Sequence, residues 1–271
     1  MPPSRPCSNL SARRIKLVVE YDGTDFCGWA AQPDQRTVHC TLKNAVCLVS
    51  GHETEITGAS RTDSGAHARG QVVHFDTSNP MPDAHWVRAL NDRLPLDIAI
   101  KQAQEVRAHF HARFSVHHRH YRYQIAVGRR TPENSRRAYN THVELDVSTM
   151  QRAGNALIGS HDFWCYSEEV PISANAIREL FALKVTRLGN TVRIDITGNA
   201  FMRGMMRRIA GGLYEVGAGK RDPGDLAKLL DLSMRDAIYR PQVLPARGLC
   251  LERIRYKRHY KDFRDEALAS D

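Results

Sequence analysis

The spacing of apolar positions switches along the chain between a period of two and a helical period, and the switches fall at turn-forming residues. From Arg14 to Tyr21, RIKLVVEY alternates and is rich in β-branched side chains, which predicts a strand; DGTDF after it predicts the turn of a hairpin. Between Thr37 and Gly51, the residues Val38, Leu42, Ala45, Val46 and Val49 recur at helical spacing, with Thr37 as N-cap and Gly51 as the stop. ITGAS (56–60) and QVVHFDT (71–77) predict short strands, and DAHWVRALNDRLP (83–95) a helix closed at Pro95.

The second half repeats this grammar. HYRYQIAVG (120–128) predicts a strand, TMQRAGNALIGSHDF (149–163) a helix, ELFALKVTRL and TVRIDITG a hairpin across Gly189 and Asn190, and FMRGMMRRIAGGLYEVG (201–217) a long helix. The order of elements predicts an α+β fold of two similar lobes, with antiparallel or mixed sheets, joined around a central cleft. The expected limits are a basic, disordered tail at 1–13, a first lobe at 14–108, a second at 109–258 and a tail from 259 to 271.

Composition adds a partner. The 271 residues are 42% hydrophobic and 25% charged, enough for a substantial core, and 39 Lys and Arg against 30 Asp and Glu leave a net charge of +9. That surplus favours a polyanion such as nucleic acid, through phosphate neutralisation and counterion release. Arginines crowd the predicted elements from Arg113 to Arg137 and again at Arg203, Arg207 and Arg208, the last three at a spacing that puts at least two on one side of the long helix. The six cysteines have no close pair of the C-x-x-C kind, and no run approaches the ~18 apolar residues of a membrane span, so a cytoplasmic protein with reduced thiols is expected.

The candidate chemistry centres on RTDSGAHA, residues 61–68, on a loop between two predicted strands. Asp63-Ser64-Gly65 spells the loop of an aspartic protease, whereas Arg61-Thr62-Asp63 followed by Gly65 and His67 looks like an RNA-modifying enzyme. A protease needs two carboxylates sharing a proton, hence two copies of the loop, and this chain has one; only a dimer would supply the second. GAGKRD (217–222) lacks the spacing and hydroxyl of a phosphate-binding P-loop. The five histidines between 109 and 120 read as a wet or RNA-facing strand, and His161-Asp162 lacks further metal ligands.

Five stretches in order, EYDGTDFCGW, RTDSGAHARGQVVHF, NDRLPLDIAI, HARFSVHHRHYRYQI and GNAFMRGMMRRIAGGLYEVG, make the chain resemble the TruA family of tRNA pseudouridine synthases from about residue 14 to residue 256. The resemblance implies the pseudouridine synthase fold. It also implies isomerisation of uridine in the tRNA anticodon stem-loop, at positions 38 to 40, without metal or organic cofactor, by a homodimer whose shared sheet would offer an apolar side for contact. By resemblance Asp63 is the catalytic carboxylate, Arg207 its cation from the other lobe, Tyr121 the ring against the target base, and Arg61 the residue that holds the stem open; His67 is assigned to the substrate or to a structural hydrogen bond. Attack on the sugar, addition to the base and proton removal all remain open as roles for Asp63. Tyr121 and Tyr123 share a strand face, and core packing is the competing reading for either. The chain departs from the family pattern at Ala30, His39, Lys43, Ala66 and Trp164, which bears on target choice; the rival function is an RNA-binding relative without turnover, against which the retained Asp63 counts.

Overall fold

In the structure, a computed structural model, residues 12–168, 171, 175–234 and 236–257 are described. All but residues 12 and 13 of the first expected tail, and the whole of the second, lie outside them. The first strand, β1 (Arg13–Tyr21), is followed by α1 (Val38–Ser50), β2 (Thr57–Gly58), β3 (His67–Thr77), α2 (Asp83–Asn91) and β4 (Ile98–Val106). Then come β5 (Val116–Val127), α3 (Pro132–Arg137), β6 (Tyr139–Thr141), α4 (Val147–Asn155), β7 (Gly159–Asp162), β8 (Ile177–Leu188) and β9 (Thr191–Gly198). The long helix α5 (Met205–Gly217), the short α6 (Asp225–Lys228) and β10 (Leu249–Tyr256) close the described chain.

The fold is α+β with a mixed sheet, in the order β4-β1-β3-β10-β5-β9-β8-β7, with β2 on β3 and β6 on β5. Residues opposed across neighbouring strands point to one face, and one such row runs through Tyr21, Ala68, Leu251, Tyr121, Ile196 and Leu183. All six are buried. Helices cover this face: Trp86 of α2 meets Phe75 edge-on at 5.2 Å, and Gly154 of α4 lies against Leu183. On the other face Arg122, Asp195 and Lys184 stand opposed, so it is charged. The apolar side expected to be free for contact is therefore already occupied by the protein's own helices.

Local signals set several boundaries. The Thr37 hydroxyl accepts from the Cys40 N–H to cap α1, and Gly51, at φ +79° with its N–H bonded to the Cys47 carbonyl, ends it. Other expectations are corrected. DGTDF opens no hairpin, because β1 pairs with β3 and β4 and residues 22–37 form a loop. The helix expected over 149–163 stops at Asn155, and Gly159–Asp162 becomes β7, paired with β8. The helix expected from 201 starts at Met205, so Arg203 precedes it, and α2 ends at Asn91 rather than at Pro95. β10 enters the centre of the sheet, parallel to β3 and antiparallel to β5, and makes the two halves one sheet. Among the described residues Cys27, Cys40, Cys47, Cys165 and Cys250 are free thiols, and no helix is long and apolar enough to cross a membrane.

Candidate active site

Asp63 stands on the loop between β2 and β3, which is pinned from its inner side. The Ser60 N–H donates to Gln71 Oε1 and the Ser60 carbonyl accepts from Gln71 Nε2, while the Tyr21 and Thr62 hydroxyls bond at 2.8 Å. The loop 26–29 runs beneath: the Trp29 N–H donates to the Thr62 carbonyl and the Gly65 N–H to the Phe26 carbonyl. Gly28, at φ +87°, allows this close passage, since a Cβ there would lie 2.9 Å from the Thr62 oxygen. With Thr62 buried, Arg61 and Asp63 on either side of it are left facing outward, Arg61 exposed and Asp63 half-buried.

The opposite wall is α5. Arg207 Nη1 donates to Asp63 Oδ2 at 2.9 Å, and its Nε donates to the Leu244 carbonyl at 2.7 Å. The Leu244 N–H donates back to the Arg207 carbonyl, and Arg208 donates to the Pro241 carbonyl, so residues 241–244 lie along the helix and aim the guanidinium. This fixes a cation beside the carboxylate without a flexible search, which is how a half-buried charge is kept without a large desolvation cost.

Tyr121 forms the third side. Its hydroxyl bonds Ser60 Oγ at 2.8 Å and its ring meets Phe201 edge-on at 5.0 Å. Burial pushes the Tyr121 phenol up, and the Asp63 charge adds to this against Ser60 and Arg119, so the ring is neutral. Tyr123, two residues on, is fully buried with its hydroxyl on the Pro245 carbonyl, and it is a core residue. Arg119 shares their face and bridges the walls: it donates to the Ala59 carbonyl on one side and to the Asn199 carbonyl on the other. Burial holds the Arg119 guanidinium below the usual arginine range.

The remaining candidates are placed differently. Arg61 makes no ion pair or hydrogen bond among the described residues. His67 is buried; its Nδ1 accepts from the Gly23 N–H and its Nε2 lies 3.0 and 3.2 Å from the Arg136 and Arg247 carbonyls. Burial pushes His67 down despite Asp22 beside it, consistent with a neutral ring donating from Nε2. Several arginines are neutralised by ion pairs, since Arg13 pairs with Asp83, Arg14 with Asp76, Arg122 with Asp195 and Arg137 with Asp22. Trp164 lies under Arg240, whose guanidinium is 4.2 Å from its ring, and Ala66 is buried beneath the Asp63 loop. Among the described residues no three His, Cys, Asp or Glu side chains converge as a metal site.

Sequence reasoning missed Ser60 and Leu244, and read Arg119 only as one of the basic residues of an RNA-facing region. Arg119 carried a usable signal, because it lies two residues before Tyr121 on the same strand face; Leu244 carried none, since it acts through its backbone carbonyl.

The family model described as tRNA pseudouridine synthase matches residues 17–115 and 153–257. The chain is 39% identical to the tRNA pseudouridine synthase A of Brevibacillus brevis, over 90% of this chain and all of the relative. It is 37% identical to that of Citrifermentans bemidjiense, over 90% and 98%, and 40% identical to that of Halalkalibacterium halodurans, over 88% and 90%. Among solved structures, a chain in a Cbf5-Nop10-Gar1 complex matches 73% of this chain and 54% of its own with a TM-score of 0.30 at 10% identity, too faint a likeness to bear on the fold.

Proposed function

Since the chain belongs to the tRNA pseudouridine synthase family and is an isomerase of tRNA uridine, we propose that it acts on uridines of the anticodon stem-loop and that Asp63 carries the reaction. The observation that supports this most is the Asp63–Arg207 pair, formed between a loop of one half and a helix of the other.

In this reading the uridine is swung out of the stem, and the bond between uracil N1 and ribose C1′ breaks. Positive character develops on the sugar, and the Asp63 carboxylate stabilises or traps it, as a carboxylate does in retaining glycoside hydrolysis. The detached uracil turns, C5 bonds to C1′, the C5 hydrogen leaves as a proton to solvent, and N1 gains one. Arg207 holds the carboxylate in place throughout. The Tyr121 ring lies against the base; stacking of this kind is worth ~1–3 kcal/mol and offsets the cost of extrusion. Arg61, exposed and free, takes the place of the displaced base in the stem, and His67 serves indirectly by tying the loop to its neighbours. A homodimer and a cytoplasmic location belong to the same reading, and the charged open sheet face is polar enough to need a polar contact.

The test is release of tritium from tRNA carrying 5-tritiated uridine. Wild type releases it, and Asp63→Asn releases none while binding tRNA within a fewfold of wild type. Retained release in the variant would overturn the assignment, and no release from wild type would favour a binding module.

A further inference from the structure

A cavity of about 310 Å³ is walled by Arg130, Ser135, Asn140, His142 and Arg247. No acidic side chain lines it. Its neutral donors are tied back: the Ser135 hydroxyl donates to the Pro132 carbonyl and the Asn140 amide to the Ala138 carbonyl. Its cations are not neutralised. Arg130 has no partner among the described residues, and Arg247 bonds only the Ala138 carbonyl, through Nε, which leaves its terminal nitrogens free. This contrasts with Arg13, Arg14, Arg122 and Arg137, each in an ion pair. Two free guanidinium forks on one concave surface suit a phosphate group.

The cavity is also tethered to the catalytic pair. Arg247 is three residues beyond Leu244, whose carbonyl holds Arg207, so their Cα atoms are within about 11 Å. The His67 ring, four residues after Asp63, bonds the carbonyls of Arg247, which lines the cavity, and of Arg136, next to the lining residue Ser135. The cavity is thus joined to the Asp63–Arg207 pair through residues 244–247 and to the Asp63 loop through His67.

We infer that this cavity seats a backbone phosphate of the RNA strand flanking the extruded uridine, with Arg130 and Arg247 as its ligands. The inference rests on the function proposed above, and its test separates the two. In the full chain, Arg130→Ala removes a side chain that bonds nothing among the described residues, so folding is preserved. The slope of log Kd for tRNA against log salt falls by about 0.7–0.9, as for one lost phosphate contact, and affinity weakens about tenfold. Single-turnover tritium release saturates at about tenfold higher enzyme concentration, following the weakened affinity, and Arg130→Lys recovers most of the slope. Among anticodon stem-loops carrying one methylphosphonate each, one linkage weakens wild-type binding about tenfold or more and weakens Arg130→Ala by much less, only the Arg247 contact being left to lose. An unchanged slope, or losses that add at every linkage, overturns the inference, as does inorganic phosphate raising the melting temperature through Arg130 while RNA affinity ignores that residue. A wild type that isomerises no uridine would sink the proposed function and leave the salt slope to report on the cavity.

Discussion

Gly28→Ala tests whether the loop 26–29 positions Asp63, and Gly51→Ala is its control. Both glycines sit at positive φ, +87° and +79°, where an alanine costs about 1–2 kcal/mol. They differ in their surroundings. A Cβ at Gly51 has nothing within 4 Å, whereas one at Gly28 is 2.9 Å from the Thr62 oxygen, 3.1 Å from the Ser64 nitrogen and 3.3 Å from the Asp63 carbonyl carbon. Ordinary contact begins at 3.4 Å, so the Thr62–Asp63 backbone must retreat by 3.4 − 2.9, or about 0.5 Å. A displacement of ~1 Å at a reacting group costs up to ~10²-fold, which makes half of it worth about tenfold. Single-turnover tritium release should therefore slow about tenfold in Gly28→Ala, with tRNA affinity little changed, and stay at the wild-type rate in Gly51→Ala. Thermal melts should show both variants destabilised, by roughly 2–8 °C for the strain alone. Equal turnover in the two variants, at similar melting temperatures, would refute the idea that this loop sets the position of the carboxylate.

Tyr121→Phe keeps the ring and strands the Ser60 hydroxyl, a loss of about 1 kcal/mol, whereas Tyr121→Ala also removes the ring; tritium release should fall much further in the alanine variant, and equal losses would assign the role to the hydroxyl. Arg119→Met removes the bridge between the Ala59 and Asn199 carbonyls and should cost about 2–4 kcal/mol, read as a melting temperature lower by roughly 5–15 °C, with a milder effect in Arg119→Lys. His74 gives a pH signature: burial, then Arg14 and His111, push it down from 6.5 to about 4, against Asp76. Below pH 6.5 the unfolded chain binds a proton that the folded one refuses until about pH 4, so stability drops as pH falls through that window, and His74→Gln should lessen the fall in melting temperature between those limits, His67 and other depressed histidines supplying the rest. Identical slopes for variant and wild type would show that another group is responsible.

The elements most legible in the sequence are those with local causes. The α1 helix reads correctly to the residue because both ends are set within one turn, by the Thr37 hydroxyl and the left-handed Gly51. The hairpin of β8 and β9 is likewise given by alternation and a Gly-Asn turn. The α4 helix reads too long because Ala156, Leu157 and Ile158 continue an apolar pattern, and only the edge of β8 recruits Gly159–Asp162 as a strand. At the site, Asp63 was legible as the centre of RTDSGAHA, whereas Arg207 and Tyr121 came from resemblance to a family, and the sequence contains no local sign that residues 144 positions apart share a hydrogen bond.

What the amino-acid order determines here by itself is period, caps, turns, net charge and the identity of the side chains able to do chemistry, since each depends on near neighbours or on a sum over the chain. Tertiary structure alone decided that β10 would bind the halves into one sheet, that the loop 26–29 would pass under Asp63, and which arginines would be neutralised and which left facing a cavity. Those outcomes depend on strand pairing and on the meeting of charges across long sequence separations, where the closing contacts are made only once the whole core has formed.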